Sequence, residues 1–246
     1  MGQLVNGTWE KGTIAPGKAG VFERPKTVFR SHPTPDDVEL DRYHLYVSYA
    51  CPWSHRTMIV RALRRLEHAV AMTVVDPRMT DEGWSFGGDG EEDPLFNAPY
   101  LRDIYTHADP QYTGRVSVPI LWDKKQKTIV NNESREIMRI FDTAFDKVAE
   151  GPSLAPPELR LQIDSRLDEI YNTYNNGVYR AGFASKQESY EVAVRDVFNT
   201  LDRMEQVLAG QRWLCGETFT EADIAFFTTS LRFDLVYYSH FKCNVR

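Results

Sequence analysis

The sequence predicts an α/β domain followed by an all-helical domain. Residues 42–145 alternate short apolar runs with helical patterns, in the order strand, helix, strand, long loop, strand, strand, helix. A Pro- and Gly-bearing stretch follows at residues 146–157, and three long helical patterns come after it. The chain has 246 residues, 42% of them hydrophobic, so it can bury a core in each domain. We therefore expect an extended arm over residues 1–40, an α/β domain over 41–145, a linker and a helical domain over 158–246.

The first half of the α/β domain has the pattern of a strand, a helix and a second strand. "RYHLYVSYA" (42–50) alternates large apolar side chains with smaller ones and predicts a buried strand. Residues 52–67 have apolar side chains at three- and four-residue steps and begin with Pro52, which is favoured in the first turn of a helix. "AVAMTVVD" (69–76) predicts the second strand. This arrangement places Cys51 on the corner between strand and helix.

The second half of this domain contains a long insertion and a hairpin. Residues 77–115 are rich in Gly, Asp and Pro, and a loop of that length inside a compact domain is usually functional. "VSVPILWD" (116–123) and "KTIVNN" (127–132) flank a short polar turn, which indicates an antiparallel hairpin. "ESREIMRIFDTAF" (133–145) then predicts a helix that opens with a Glu-Ser pair.

The helical domain is predicted from three patterns, at residues 158–176, 187–209 and 220–240. The third begins with "FTEADI", in which Thr220 is followed three residues later by an Asp. A Thr at this position caps the first free N–H groups of a helix. The helix therefore starts at Thr220.

Composition and charge exclude several classes of function. Lys and Arg number 29 against 35 Asp and Glu, a net charge of −6, which disfavours binding to nucleic acid. No apolar run approaches the length of a membrane span, and the N-terminus lacks the apolar core of a signal peptide. The chain has 3 cysteines, an odd and low number that does not form a disulfide framework. We expect a cytoplasmic protein without a membrane partner.

The cysteine on the strand–helix corner has the features of a nucleophile. At the N-terminus of a helix, unpaired backbone N–H groups and the positive end of the dipole favour the thiolate of Cys51 over the thiol. Ser54 stands where a second cysteine would give a Cys-x-x-Cys pair. Because Cys-x-x-Ser cannot close an internal disulfide, the site would form a mixed disulfide with an outside thiol and need another thiol to release it. Glutathione is the abundant small thiol of the cytosol.

Two other interpretations of this corner stay open from the residues alone. The pattern is also consistent with a plain structural role, in which Cys51 is a small buried residue that packs under the strand. A zinc site could combine Cys51 and His55 with His240 and Cys243, but Cys-x-x-x-His at a helix start is not a common zinc spacing. We expect no metal.

Two further motifs could contact a peptide-like ligand. In "SVPI" (117–120), a proline interrupts a strand-like run, and an edge or a cis bond there could expose the backbone N–H and C=O of Val118 for β-type pairing. In "NNES" (131–134), Glu133 and Ser134 open a helix, whose N-terminus suits a carboxylate. An ordinary edge proline and ordinary helix capping are the plain alternatives.

In combination, "CPWS", "SVPI" and "ES" on this α/β frame resemble the glutathione transferase superfamily, whose N-terminal domain is thioredoxin-like and whose C-terminal domain is all-α. Longer blocks resemble one group within it, the glutathionyl-hydroquinone reductases or Xi class. They lie between residues 45 and 243 and read "YACPWSHR", "DPRMTDEGWSF", "RVSVPILWD", "NNESREI", "NNGVYRAGFA", "FTEADI" and "LRFDLVYYSHFKC".

The resemblance implies a role for each matching residue. Cys51 matches the catalytic nucleophile, Tyr179 the tyrosine that exchanges a proton with the phenolic substrate, and Tyr237 one that helps to stabilise the thiolate. A tyrosine O–H can donate in both roles, although aromatic residues at helical spacing usually pack a core. The residues that match the glutathione-binding set are Trp84, Arg115, Val116, Ser117, Val118, Glu133 and Ser134.

The resemblance also implies glutathione as co-substrate, an aromatic hydroquinone thioether as substrate and a homodimer. Chains of this group continue past the "HFKC" block and supply another tyrosine near the site, so we expect residues 158–246 to be a shortened helical domain. Two alternatives remain: a thioltransferase or dehydroascorbate reductase similar to the Omega class, and a non-catalytic glutathione-binding module. The aromatic blocks around Trp84 and Tyr179 disfavour the first, and the reactive corner disfavours the second.

Overall fold

The computed structural model describes residues 2–12 and 20–244, and the chain divides into two compact units. Unit 1 comprises Met1–Ile14 and Pro25–Pro152, and unit 2 comprises Ala15–Arg24 and Ser153–Arg246. The second boundary falls inside the stretch 146–157 that the sequence marks as a linker.

Unit 1 is built on a four-stranded mixed sheet in the order β4-β3-β5-β6. Its strands are β3 (Tyr43–Val47), β4 (Val70–Val74), β5 (Ile120–Asp123) and β6 (Thr128–Asn131), and its two flanking helices are α1 (Pro52–Leu63) and α3 (Ser134–Thr143). Strand β3 is parallel to β4 and antiparallel to β5, which pairs antiparallel with β6. The α/β expectation for this half of the chain is confirmed.

The register of β3 against β5 determines which loops meet. Every residue of β3 is buried, as expected for a central strand. Tyr46, near the end of β3, pairs with Ile120, the first residue of β5. Because the two strands run in opposite directions, the residues that follow β3 and those that precede β5 lie at the same edge of the sheet. Cys51 and Val118 belong to those two segments.

Residues 2–11, which we expected to be part of an extended arm, form a β-hairpin instead. Strands β1 (Gly2–Val5) and β2 (Thr8–Lys11) pair antiparallel around Asn6 and Gly7, both of which have positive φ. Asn-Gly is the preferred sequence of a two-residue hairpin turn, so the local sequence favours this hairpin. The hairpin is tied to the insertion by two backbone hydrogen bonds of 2.9 Å between Leu4 and Gly114.

The insertion at 77–115 and the strand after it also differ from expectation. A helix, α2 (Leu101–Ala108), lies inside the predicted loop and buries Leu101, Ile104 and Tyr105. Strand β5 begins at Ile120 rather than at residue 116, and the bond between Val118 and Pro119 is cis. A proline has no N–H to give to a strand ladder, so residues 115–119 stay irregular.

Unit 2 is helical, as expected. Its helices are α4 (Arg160–Ile170), α5 (Gly177–Gly182), α6 (Gln187–Gly210) and α7 (Glu221–Ser230), with a 3-10 turn at Pro157–Leu159 and π-helical turns at Tyr171–Asn175 and Phe233–Tyr237. Helix α5 was not predicted. At the start of α7 the Asp223 carboxylate accepts the N–H of Thr220 at 2.9 Å, which completes the predicted cap.

Residues 20–24 also belong to unit 2, although the sequence placed them in the arm. The carbonyl of Gly20 accepts a hydrogen bond from the N–H of Ser185 at 3.1 Å. The ring of Phe22 lies 5.2 Å from that of Phe183. Within residues 2–12 and 20–244, none of the helices combines the length and the apolar character needed to cross a bilayer.

Candidate functional site: a thiol and a polar cradle in unit 1, an aromatic cluster in unit 2

Cys51 lies where the sequence predicts it, at the N-cap of α1. Its backbone is extended, with φ −87° and ψ 120°, and Pro52 occupies the first helical position. The Cys51 carbonyl accepts the N–H of His55 at 3.0 Å, which closes the first turn. The thiol is partly exposed and faces the carbonyl of Val118, with 3.7 Å between Sγ and O. A sulfur in this position meets the positive end of the helix dipole.

The position of Ser54, the residue that replaces a second cysteine, is also clear. It is fully buried in α1. Its Oγ accepts a hydrogen bond from the N–H of Ser48 at 3.3 Å. The serine therefore ties the turn between β3 and α1 to the helix that follows.

The loop 115–118 provides the backbone on the other side of the thiol. Val118 is buried, and among the described residues none accepts a hydrogen bond from its N–H. A peptide-like ligand would pair with this N–H and with the facing carbonyl in β-fashion. Two tyrosine hydroxyls donate hydrogen bonds to carbonyls of this loop. Tyr105 donates to the Ser117 carbonyl at 2.9 Å, and Tyr112 donates to the Arg115 carbonyl at 3.1 Å.

The start of α3 offers a hydroxyl and helix N–H groups. Glu133 is the N-cap, and its Oε1 accepts from the N–H of Arg135 at 3.4 Å, so the plain capping role is present. Ser134 is 2% exposed, and its Oγ has no hydrogen-bond partner within the part of the chain that the structure describes. A buried hydroxyl without a partner is costly and is commonly completed by a ligand. The helix end and this hydroxyl together suit a carboxylate.

One hydrophobic cluster in unit 1 joins several of the predicted residues. Trp84 and Val118 are members of it, and Cys51 and Val116 pack against it. Trp84 comes from the long insertion and is only 8% exposed. The tryptophan, the thiol and the loop therefore all border one hydrophobic cluster. We call this group, with Glu133 and Ser134, the cradle.

The two predicted tyrosines of unit 2 lie together in an aromatic cluster formed by Tyr179, Phe183, Tyr237 and Phe241. The rings of Tyr179 and Tyr237 are 6.0 Å apart, and Phe241 lies 5.2 Å from the first and 5.3 Å from the second. Tyr179 is partly exposed, whereas Tyr237 is 2% exposed. Tyr237 therefore also fits the interpretation of a core aromatic residue.

Arg24 joins this cluster and was missed by sequence reasoning. The centre of its guanidinium lies 4.7 Å from the centroid of the Tyr179 ring, and its Nε donates to Asn176 Oδ1 at 2.9 Å. A cation over an aromatic face is attracted by the electrons of the ring. Arg24 is separated from Tyr179 by most of the chain, so no local spacing signal links them.

The other two cysteines are unsuited to nucleophilic chemistry. Cys215 and Cys243 are buried, and burial raises the pKa of both thiols, that of Cys243 to about 12. Both stay protonated near neutral pH, and a thiol is a weak nucleophile. Across the ranges 2–12 and 20–244, no group of three or more His, Cys, Asp or Glu side chains is arranged to hold a metal ion. The cysteine that is both partly exposed and at a helix end is Cys51.

Both units match models of one protein family. A model described as the glutathione S-transferase N-terminal domain matches residues 50–144, and one described as the C-terminal domain matches residues 187–245.

Two relatives illustrate the sequence similarity. The chain is 48% identical over 262 residues to glutathionyl-hydroquinone reductase YqjG of Escherichia coli (strain K12), an alignment that covers 99% of this chain and 79% of YqjG. It is 50% identical over 241 residues to glutathione S-transferase omega-like 2 of Schizosaccharomyces pombe (strain 972 / ATCC 24843), with 93% of this chain and 77% of the relative covered.

Two solved structures show the similarity in three dimensions. The Xi-class transferase of Natrialba magadii superposes with a TM-score of 0.94 at 47% identity, over 100% of this chain and 78% of the other. The glutathione-bound structure of YqjG, a glutathione transferase homologue from Escherichia coli K-12, gives a TM-score of 0.90 at 46% identity. The match covers 100% of this chain and 79% of the YqjG chain.

Proposed function

This chain belongs to the glutathione transferase family, in the Xi-class group that includes the glutathionyl-hydroquinone reductases, and we propose that it reduces glutathionyl-hydroquinones to hydroquinones. The reaction consumes glutathione and releases oxidised glutathione. The observation that carries the proposal is the geometry at Cys51: a partly exposed thiol at the N-cap of α1, with a serine in place of a resolving cysteine.

Glutathione is proposed to bind along the cradle. Its peptide backbone pairs with the N–H and C=O of Val118, and its γ-glutamyl carboxylate meets the start of α3, where Ser134 Oγ is buried without a partner among the described residues. Trp84 covers the tripeptide, and the loop residues Arg115, Val116 and Ser117 complete the contacts. Glu133 suits the ligand's amine.

The first step breaks the carbon–sulfur bond of the substrate. The Cys51 thiolate attacks the glutathione sulfur, and a sulfur–sulfur bond forms. The electron pair of the broken bond goes to the ring carbon, which takes up a proton supplied by Tyr179. The products are hydroquinone and a mixed disulfide between Cys51 and glutathione.

The second step regenerates the enzyme. The thiolate of another glutathione attacks the glutathione sulfur of the mixed disulfide, which releases oxidised glutathione and returns Cys51 as thiolate. Tyr237 is proposed, from the family resemblance alone, to help to keep Cys51 as thiolate. Ser54 prevents the alternative in which a neighbouring thiol would expel glutathione and close an internal disulfide.

Replacement of the nucleophile tests this proposal. We expect Cys51→Ala to abolish glutathione-dependent release of hydroquinone from its thioether, measured by chromatography, while Cys215→Ala keeps the activity. We also expect oxidised glutathione to add one glutathione to the wild-type chain, located at Cys51 by peptide mapping. Substantial turnover by Cys51→Ala, or labelling confined to Cys215 or Cys243, contradicts the mechanism.

A second candidate is a glutathione-dependent thioltransferase of the Omega type. It is favoured by the similarity to the Schizosaccharomyces pombe protein, which is named omega-like. Reduction of a small mixed disulfide by wild-type protein, without cleavage of a glutathionyl-hydroquinone, would support this candidate. Absence of both activities together with glutathione binding would indicate a non-catalytic binding module.

We further propose that the protein acts as a cytoplasmic homodimer and binds neither nucleic acid nor membrane. The charge of −6 supports the expectation for nucleic acid. Light scattering after size exclusion measures the mass of the assembly, and a mass of one chain would contradict the dimer.

A further inference from the structure

The side chain of Tyr105 places one polar atom in the interior of unit 1. Tyr105 lies on α2, within the insertion, and is 0% exposed. Its ring packs against Phe29 at 6.0 Å and Tyr112 at 4.9 Å. The hydroxyl is therefore out of reach of solvent, and its hydrogen bonds must be made within the protein.

Four atoms lie within hydrogen-bond distance of this hydroxyl, one of them Ser117 Oγ at 3.3 Å. The Tyr105 hydroxyl donates its proton to the Ser117 carbonyl at 2.9 Å, and it accepts from the Ser117 N–H at 3.2 Å and from Asn132 Nδ2 at 3.1 Å. A phenol has one proton and two lone pairs. Since the proton is used on Ser117, Asn132 must be the donor, and the orientation of its amide is fixed.

These partners belong to the two segments that we propose to hold glutathione. Ser117 precedes Val118, whose backbone faces Cys51. Asn132 precedes Glu133 and Ser134 at the start of α3. The two segments stand at the two ends of the β5–β6 hairpin, and a single oxygen atom bonds to both.

We propose that the Tyr105 hydroxyl is a positioning group for glutathione: it sets the separation between the loop 115–118 and the start of α3, so that one tripeptide can reach both. Tyr105 acts through Ser117 and Asn132, because its own side chain is inaccessible. The inference rests on the proposed function, since it assumes that glutathione occupies the cradle. Two groups that must contact one ligand have to be held at the correct separation before it binds.

The variant Tyr105→Phe tests the inference because it removes the oxygen and keeps the ring. The affinity for reduced glutathione, measured by isothermal titration calorimetry, should fall roughly tenfold, since buried partners are left unpaired and the segments can shift. The rate of alkylation of Cys51 by iodoacetamide should match wild type, because the position of Cys51 at the N-cap of α1 is unchanged. Saturating glutathione should restore most of the turnover.

The matched control is Tyr43→Phe, which removes another buried hydroxyl of unit 1. Tyr43 is 1% exposed, and its hydroxyl donates to the Asp37 carbonyl at 3.2 Å, in a part of unit 1 that does not belong to the cradle. Both variants should lose thermal stability, but only Tyr105→Phe should lose affinity. If Tyr105→Phe does not fold, Asn132→Ala is measured in its place, because it removes the bond from Asn132 Nδ2 and keeps the contacts with Ser117.

Two outcomes overturn the inference, and they are distinguishable. Wild-type affinity in Tyr105→Phe, or an equal loss in both tyrosine variants, shows a merely structural role while leaving the proposed function intact. Failure of the wild-type chain to bind glutathione overturns the proposed function, and this inference with it.

Discussion

The cradle of unit 1 offers mainly polar groups to a ligand, whereas the aromatic cluster of unit 2 offers mainly ring faces and edges. The cradle combines the backbone of the loop 115–118, the Cys51 thiol and Trp84 with the start of α3, where Ser134 Oγ is buried and unpartnered among the described residues. The aromatic cluster consists of rings whose centroids lie between 5.2 and 6.3 Å apart, with the guanidinium of Arg24 over one of them. The first suits a charged peptide and the second a flat aromatic ring.

This difference assigns the two regions to different parts of the proposed reaction. Glutathione takes part in both steps, so a change in the cradle should affect cleavage of the thioether and release of oxidised glutathione alike. The aromatic substrate takes part only in the first step. A change at Tyr179 should therefore slow cleavage and leave the second step unaffected.

The largest expected effect is that of Tyr179→Phe. Loss of the proton donor should slow release of hydroquinone by roughly 10²-fold to 10³-fold. Reduction of a preformed Cys51–glutathione disulfide should keep its wild-type rate, measured by stopped flow. Tyr174→Phe is the control, since it removes a buried hydroxyl of unit 2 that contacts Ser230 Oγ at 2.9 Å. Equal slowing of both steps in Tyr179→Phe would contradict the assignment of Tyr179 to the first step alone.

In the cradle, Ser134→Ala should weaken glutathione binding about tenfold, because the ligand loses a hydrogen bond to a buried group. The Tm should stay at the wild-type value or rise, since the Oγ has no partner among the described residues that could be left unsatisfied. Thr143→Ala, at the other end of α3, is the control, and its hydroxyl donates to the Arg139 carbonyl at 2.7 Å. A fall in Tm with unchanged affinity would assign Ser134 to the fold.

A smaller effect is expected for Arg24→Met. The guanidinium lies over the Tyr179 ring, where it would stabilise the negative charge that develops if Tyr179 gives up its proton as proposed. Its removal should slow thioether cleavage roughly threefold to tenfold, in proportion to a cation–π energy of about 1 kcal/mol. Arg24→Lys should retain part of the rate, and Arg203→Met, which removes an exposed arginine of α6, should retain all of it. An effect on the second step would contradict this role.

The last prediction concerns stability at low pH in unit 1, which neither step of the reaction measures. Burial by itself raises the pKa of Glu136, but hydrogen bonds from Arg30 and Asn131 outweigh it and lower the pKa to about 2. A depressed pKa gives stability that is present above the unfolded value of about 4.5 and is lost as the pH falls toward 2. The contribution should be about 2 kcal/mol, reduced from the full linkage value because the group is partly exposed.

The measurement is urea denaturation of wild type and Glu136→Gln at pH 7 and pH 3. Wild type should lose more stability than the variant over this interval. The same loss in both chains would mean that Glu136 contributes nothing in that range.

Sequence patterns predicted the α/β frame, the helical half and the corner at Cys51 because each depends on short-range chemistry. A buried strand followed by Cys-Pro and apolar residues at helical spacing specifies a helix that begins at the cysteine. Helix α2 escaped prediction because it is short and lies among Gly and Pro residues. The hairpin at residues 2–11 could have been found from its Asn-Gly turn.

The roles of Tyr179 and Tyr237 came only from resemblance, and they remain predictions. An aromatic residue at helical spacing has the same local pattern whether it packs a core or faces a substrate. The structure gives the two rings different exposures, and that difference is invisible in the sequence.

The sequence by itself determined the family, the cysteine that we propose as nucleophile and the absence of a second cysteine three residues after it, since these depend on residue identity and local spacing. Only the tertiary structure decided which other groups contact the residues of the proposed site. The Tyr105 hydroxyl bonds to Ser117 and to Asn132, and the Arg24 guanidinium lies over the Tyr179 ring. The physical reason is that a hydrogen bond or a cation–π contact is specified by distance and direction in space, which no spacing along the chain encodes.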